Sequence, residues 1–158
     1  MRVKLTGGAP APLAAVEALE AALGHELSAC VKQFLRAHDG ATPEANVFAI
    51  DAANHAGVNQ FIPVAQVISE RANVDDMSAR AYPIAWAEGG NYVVIDEDRA
   101  GAVFFWDHET AALTRLADDL DAFLALLRPF DIASVPLGAE QIKSAWIDPS
   151  FAKRHRRD

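Results

Sequence analysis

The chain is poor in cysteine: Cys30 is the only one in 158 residues. One thiol cannot close an internal disulfide, so a disulfide-stapled secreted scaffold is excluded and a reducing, cytoplasmic setting is expected. Long apolar runs are also lacking, and none approaches the ~18 residues of a membrane span. The first residues, MRVKLTGGAPAPLAAVEALEAALG, carry Arg2 and Lys4. Gly7, Gly8, Pro10 and Pro12 interrupt their apolar part, and Glu17 and Glu20 follow, so no signal peptide is expected. Positive charge is scarce. Fourteen Lys and Arg face 22 Asp and Glu, for a net charge of −8, and the charge is uneven, with four of the basic residues in the last six positions, 153–158. That tail carries +3, which leaves −11 on the rest of the chain. An acidic body repels phosphates and disfavours DNA or RNA; it suits a basic partner. Recognisable catalytic elements are missing too. Gly89-Gly90-Asn91 has neither the lysine nor the Ser/Thr of a phosphate loop and precedes a strand, and no serine sits in a nucleophile elbow.

What is present is a scaffold. Residues 82–109 read YPIAWAEGGNYVVIDEDRAGAVFFWDHE. The apolar segments 82–86, 92–95 and 102–106 predict three strands. Glu88-Gly89-Gly90-Asn91 and the segment 96–101 predict tight turns, since glycine and asparagine accept positive φ. The connection 96–101 is too short for a parallel crossover, so the last two strands pair antiparallel. Before them, residues 1–11 read as a loose arm. A first helix opens near Pro12, with Leu13, Val16, Leu19 and Leu23 on its apolar stripe, and Gly24 ends it. A second runs over 26–38 with Leu27, Cys30, Val31, Phe34, Leu35 and His38 at helical spacing. Short strands are expected at 47–50 and 60–62, a polar loop at 51–57, a helix over 64–71 and an acidic loop over 72–80. A further helix is predicted over 116–127, with Asp118, Asp119 and Asp121 in its first turn and Leu120, Phe123, Leu124 and Leu127 inward. A helical segment at 139–146 and an Asp148-Pro149 helix start follow. The length favours one domain over 1–158, with a core at about 13–128 and a C-terminal helical extension at 129–158. The fold class is α+β, a mostly antiparallel sheet with helices packed on one face.

Candidate chemical groups are few. Asp107-His108-Glu109 could hold a metal or exchange protons, but neighbours on a strand point to opposite faces, so a structural role is expected. His25, His38 and His55 lie on separate segments without ligand spacing; His38 suits the C-terminal end of the second helix. Asp96 to Asp107 resembles a calcium loop in its acids at positions 1 and 3 and its glycine at 6. Ala100 stands at position 5 and the twelfth residue is not glutamate, so a hairpin turn is expected. Cys30 sits on an apolar stripe with no partner pattern of a nucleophile. No catalytic residue, metal or cofactor is expected. Trp86, Tyr92 and Trp106 are interface candidates, although alternate ones would be core on a covered sheet.

The order of motifs is similar to a known family. Phe34-Leu35-Arg36-Ala37-His38-Asp39-Gly40 closes a helix. Phe61-Ile62-Pro63 follows, then Ile84-Ala85-Trp86 with Gly89-Gly90-Asn91, and Gly101-Ala102-Val103-Phe104-Phe105-Trp106-Asp107-His108-Glu109, and a helix with Leu120, Phe123, Leu124 and Leu127. This resembles the SUKH superfamily of fungal cell-wall-regulator-like domains and bacterial immunity proteins, over about residues 13–128. Asp39-Gly40 replaces the usual Asn-Gly, Gly90-Asn91 the usual Gly-Asp, and Gly24-His25 stands where a proline is common. The resemblance implies an α+β domain that binds a protein, often a co-encoded toxin, and implies no enzymatic activity.

The resulting expectation is a cytoplasmic immunity protein, a monomer or weak homodimer, that binds a protein partner. A basic toxin such as a nuclease would suit its charge. No nucleic acid or membrane is expected as partner. The expected contact set is Asp75 and Asp76, Asp96, Glu97 and Asp98, with Trp86, Trp106 and Asp107. A regulatory scaffold without a toxin partner is the alternative.

Overall fold

The computed structural model describes residues 3–131. The expected helical segment at 139–146, the Asp148-Pro149 start and the basic tail lie outside them. Two helices open the fold, α1 (Leu13–Leu23) and α2 (Ala29–His38). Gly24 ends α1 in the left-handed region at φ 78°, its N–H donating to the Glu20 carbonyl, so the chain can turn at once into α2. The α2 helix starts three residues later than its apolar spacing predicts, because Leu27 is buried ahead of the helix and Ser28 takes the N-cap position. The N-terminal arm is not loose. Its strand β1 (Leu5–Thr6) pairs with β2 (Thr42–Pro43), and Ala9 bridges to Asp39.

The main sheet has six antiparallel strands in sequence order: β3 (Val47–Ala49), β4 (His55–Phe61), β5 (Ala81–Ala87), β6 (Asn91–Asp96), β7 (Ala102–Trp106) and β8 (Leu113–Ala117). The β6–β7 pairing runs from Tyr92 opposite Trp106 to Asp96 opposite Ala102, as the short connection requires. Strand β4 begins at His55, inside the expected polar loop. Asp51 closes that loop tightly by accepting the N–H groups of Ala53 and Asn54, which frees the residues after it to pair with β3. Pro83 sits in an interior strand, where its missing N–H would break a ladder. The β5–β6 register shifts between Pro83 and Ala85, and the irregularity accommodates it.

The expected helix over 116–127 is instead a strand followed by a short helix, α4 (Leu120–Leu126). Leu113, Leu116 and Leu120 imitate a helical stripe. Leu113 and Ala117 in fact pair with Trp106 and Val103 of β7. Asp119 then restarts the chain as N-cap, accepting the Ala122 N–H at 2.7 Å, while Asp118 stays outside the helix and pairs with Arg115. Between β4 and β5, a 3-10 turn (Val64–Gln66) leads into α3 (Val67–Arg71).

Phe48 of β3 lies in the centre of the core, with ring centroids 5.5 Å from Phe123 of α4 and 5.9 Å from Phe105 of β7. Phe34 of α2 meets Phe61 of β4 edge-on at 4.7 Å. Strands β6 and β7 are buried along almost their whole length, and this is why their sequences are continuous apolar runs without alternation. At one edge, β3 is closed by reciprocal backbone bonds between Val47 and Arg128.

Candidate functional site

Alternation along β6 sends Tyr92, Val94 and Asp96 to one face and Val93 and Ile95 to the other. Tyr92 has Trp86 of β5 and Trp106 of β7 as lateral neighbours, so three aromatic residues cross the sheet in one row. The Tyr92 and Trp106 rings are 5.8 Å apart. At the far end of the same face lies Asp96, next to the turn 97–99.

The segment 72–80 connects these two ends. Near its start Asn73 reaches the Tyr92 hydroxyl at 3.5 Å, and near its end the Ser78 hydroxyl donates to Asp96 at 2.7 Å. Asp75 and Asp76 lie between these anchors, both exposed, with Asp76 at φ 58°, a conformation aspartate tolerates. Val74 and Met77 turn inward against the core. The two acidic loops therefore adjoin in space: Arg80 approaches Asp98 at 3.8 Å, and the Glu97 N–H donates to the Arg80 carbonyl.

Within this strip the side chains divide. Asp75, Asp76 and Asp98 are exposed. Asp96 is 2% exposed; it accepts from Ser78 and from the Asp98 N–H, and pairs with Arg99 at 3.4 Å. Glu97 points back into the fold. It accepts the Tyr82 hydroxyl at 2.9 Å and the Ser28 N–H at 3.1 Å, tying the β6–β7 turn to the start of α2. Burial and the adjacent Glu97 carboxylate push the Tyr82 hydroxyl far up, so it stays protonated and donates. Trp106 is 4% exposed, and its indole N–H is buried without a hydrogen-bond partner. Trp86 is half-buried, and Asp107 lies partly exposed beyond the end of β7.

Sequence reasoning did not single out Glu70. From α3 its Oε2 accepts the Trp86 indole N–H at 2.9 Å and the Tyr92 hydroxyl at 2.5 Å. Those two bonds, Tyr92's first, hold the carboxyl below the usual range. The only sequence signal is a lone acid in an otherwise weakly patterned helix, which does not point to two aromatic donors on distant strands. Because the folded pKa is lowered, the carboxylate's contribution to stability is complete above about pH 4.5 and is lost as pH falls through the folded value. We therefore expect Glu70→Gln to be less stable than the parent at neutral pH, with the gap closing toward pH 3. Urea denaturation at pH 7, 5, 4 and 3 measures it; a gap independent of pH would refute the assignment.

The Asp107-His108-Glu109 cluster lies in the turn after β7, outside the strand itself. Asp107 accepts the Glu109 N–H at 2.8 Å, and its carbonyl accepts the Ala111 N–H. His108 is exposed and meets Asn91 Oδ1 through both its backbone N–H and its ring Nδ1, at 3.0 and 2.8 Å. The carboxylate and imidazole thus serve different partners, and the His108–Asn91 contact staples the β7–β8 turn to the start of β6. The segment from Asp96 folds as a turn, with Ala100 and Gly101 both at positive φ. Among the described residues, no three His, Cys, Asp or Glu side chains are grouped to hold a metal ion. Nor is any helix among them long and apolar enough to cross a membrane.

No curated protein matches the chain. The profile of the SMI1/KNR4 family (SUKH-1) matches residues 10–126, from just before α1 to the end of α4. That span contains the whole six-stranded sheet, the acidic strip and the aromatic row. The chain belongs to the SMI1/KNR4 family (SUKH-1).

Proposed function

We propose that this protein is a non-enzymatic, cytoplasmic binding domain that neutralises a basic protein toxin, and that it does so through the strip formed by 72–80 and 96–99. Family membership supports a protein partner. The observation that supports the surface is the joining of the two acidic loops at Ser78–Asp96, with Asp75, Asp76 and Asp98 exposed on them. In this reading those three carboxylates make the first contact. Asp96 and Glu97 hold the loops in place through their internal bonds. Trp86 and Asp107 supply the aromatic and acidic contacts, and the buried Trp106 flanks Tyr92 in the same row.

An acidic surface of this kind attracts a basic protein over roughly 10 Å at 0.1 M salt and suppresses acidic competitors. The test is co-expression of the protein with the product of the adjacent reading frame, followed by a binding and growth-rescue assay. A basic product whose toxicity is relieved by the parent, and not by the variant with Asp75, Asp76 and Asp98 changed to lysine, supports the reading. An acidic product, or rescue unaffected by the triple reversal, overturns it. Asp107→Ala and His108→Ala are expected to leave no lost turnover in a hydrolase and nuclease screen; turnover by the parent that either change abolishes would make the protein an enzyme.

A further inference from the structure

Apolar surface gathers where the described chain ends. Four large hydrophobic side chains among the described residues are exposed: Leu13, Ile68, Leu126 and Phe130. The last two lie just before Asp131, Leu126 at 49% and Phe130 at 65% exposure. A lone exposed hydrophobic residue is ordinary, but these two adjoin a recess. Ala125 and Leu126 of α4, Ala49 of β3 and Arg128 line an open space of about 330 Å³. All four are exposed. The reciprocal backbone bonds between Val47 and Arg128 hold the exit of α4 against β3 and so fix the recess at the edge of the sheet. That bridge satisfies Val47, at the start of β3; Ala49, at its other end, pairs only with His55 of β4.

The chain itself supplies an occupant. The family match ends at Leu126, and residues 132–158 continue from Asp131. In this stretch Ala139, Ile142, Ala145 and Trp146 fall at helical spacing, separated by Glu140, Gln141, Lys143 and Ser144. A helix this short is not stable alone in water, because its nucleation costs more than its few hydrogen bonds return. It forms only where its apolar stripe is buried. The link 132–138 spans up to about 25 Å, enough to bring the stripe back onto α4 and β3. Pro136 and Gly138 suit a reversal of the chain there. So short a link holds the segment at an effective concentration on the order of millimolar, well above that of a second copy in dilute solution.

We propose that residues 139–147 dock as a helix on the recess between α4 and β3, with Ile142 and Trp146 against Leu126 and Phe130. The small side chains of Ala49 and Ala125 leave the room that an indole ring needs. Docked there, the segment covers the part of the β3 edge that the Arg128 bridge leaves open, and keeps it from pairing with another chain. This surface shares no residue with the acidic strip and does not depend on the toxin reading.

The test uses the full chain. Emission from Trp146, taken as the difference between parent and Trp146→Phe, should be blue-shifted and shielded from acrylamide. Leu126→Lys and Phe130→Lys change exposed positions, so the fold should be kept. Each removes apolar area that docking would bury and should shift the segment about tenfold toward the undocked form, with Trp146 quenching rising accordingly. Leu13→Lys, at a similarly exposed position on α1, should leave the quenching unchanged. In a Cys30→Ser background, a nitroxide on Ser144→Cys should broaden the amide of Ala49, which is distant in sequence, as well as those of Leu126 and Arg128. A Trp146 fully open to acrylamide in the parent would overturn the proposal. So would quenching indifferent to both patch variants or equally raised by Leu13→Lys, or broadening that spares Ala49. Broadening that appears only between a nitroxide-bearing copy and a separate isotope-labelled copy would assign the recess to a second copy and overturn it too.

Discussion

Glu97→Ala is expected to destabilise the protein by about 2–4 kcal/mol, whereas Asp98→Ala, one residue away, should change it by less than about 0.5 kcal/mol. The two carboxylates look alike in the sequence. Their difference is in what they accept. The Tyr82 hydroxyl is fully buried and donates to Glu97, which also accepts the Ser28 N–H at the start of α2. A buried donor left without an acceptor costs about 1–3 kcal/mol, and the part-buried Ser28 N–H loses its acceptor as well. Asp98 has only a long contact to Arg80 between half-exposed side chains, and such surface pairs contribute little. For a domain of this size the Glu97 loss corresponds to a melting shift on the order of 10 °C. Calorimetry of both variants checks it. Tyr82→Phe in the Glu97→Ala background should recover part of the loss, because it removes the stranded hydroxyl; strict additivity of the two changes would mean they do not share an interaction.

That contrast also shows what the sequence could reveal. The central hairpins were legible because their signals are local. Gly89 and Gly90 adopt the positive φ their turn requires, and the six residues from Asp96 leave β7 no route but antiparallel return beside β6. The α1 boundary was legible for the same reason, through Pro12 and Gly24. Strand β8 was not. Leu113, Leu116 and Leu120 satisfy a helical period, and only pairing with β7 decides for a strand. The acids at 75–76 and 96–98 were legible as a group but not in their division of labour. Nothing local tells that Asp96 and Glu97 are spent on Ser78, Tyr82 and Ser28 while Asp75, Asp76 and Asp98 remain at the surface. Glu70 was invisible for a related reason: its value lies in two aromatic donors 16 and 22 residues away.

The second large effect is expected in association kinetics. Changing Asp75, Asp76 and Asp98 to lysine should lower the on-rate for a basic partner by on the order of 10–100-fold at low salt, within the 10–1,000-fold range that electrostatic steering supplies. The three side chains are exposed, so reversal should leave the fold intact, and each replaces an attraction with a repulsion at the rim. Added salt should shrink the difference, since the screening length falls from roughly 10 Å at 0.1 M to roughly 3 Å at 1 M. The off-rate should move much less, because rim charges act mainly before docking and desolvated anchors act after it. Trp86 is the counter-case: half-buried and tied to Glu70 through its indole, it should alter the off-rate on replacement by alanine and leave the salt slope unchanged. Stopped-flow or surface-based kinetics of parent, triple-lysine and Trp86→Ala proteins across a salt series separate the two. An on-rate that ignores both salt and the triple reversal would remove the electrostatic basis of the toxin reading, and a regulatory scaffold of the same family would then be the better account.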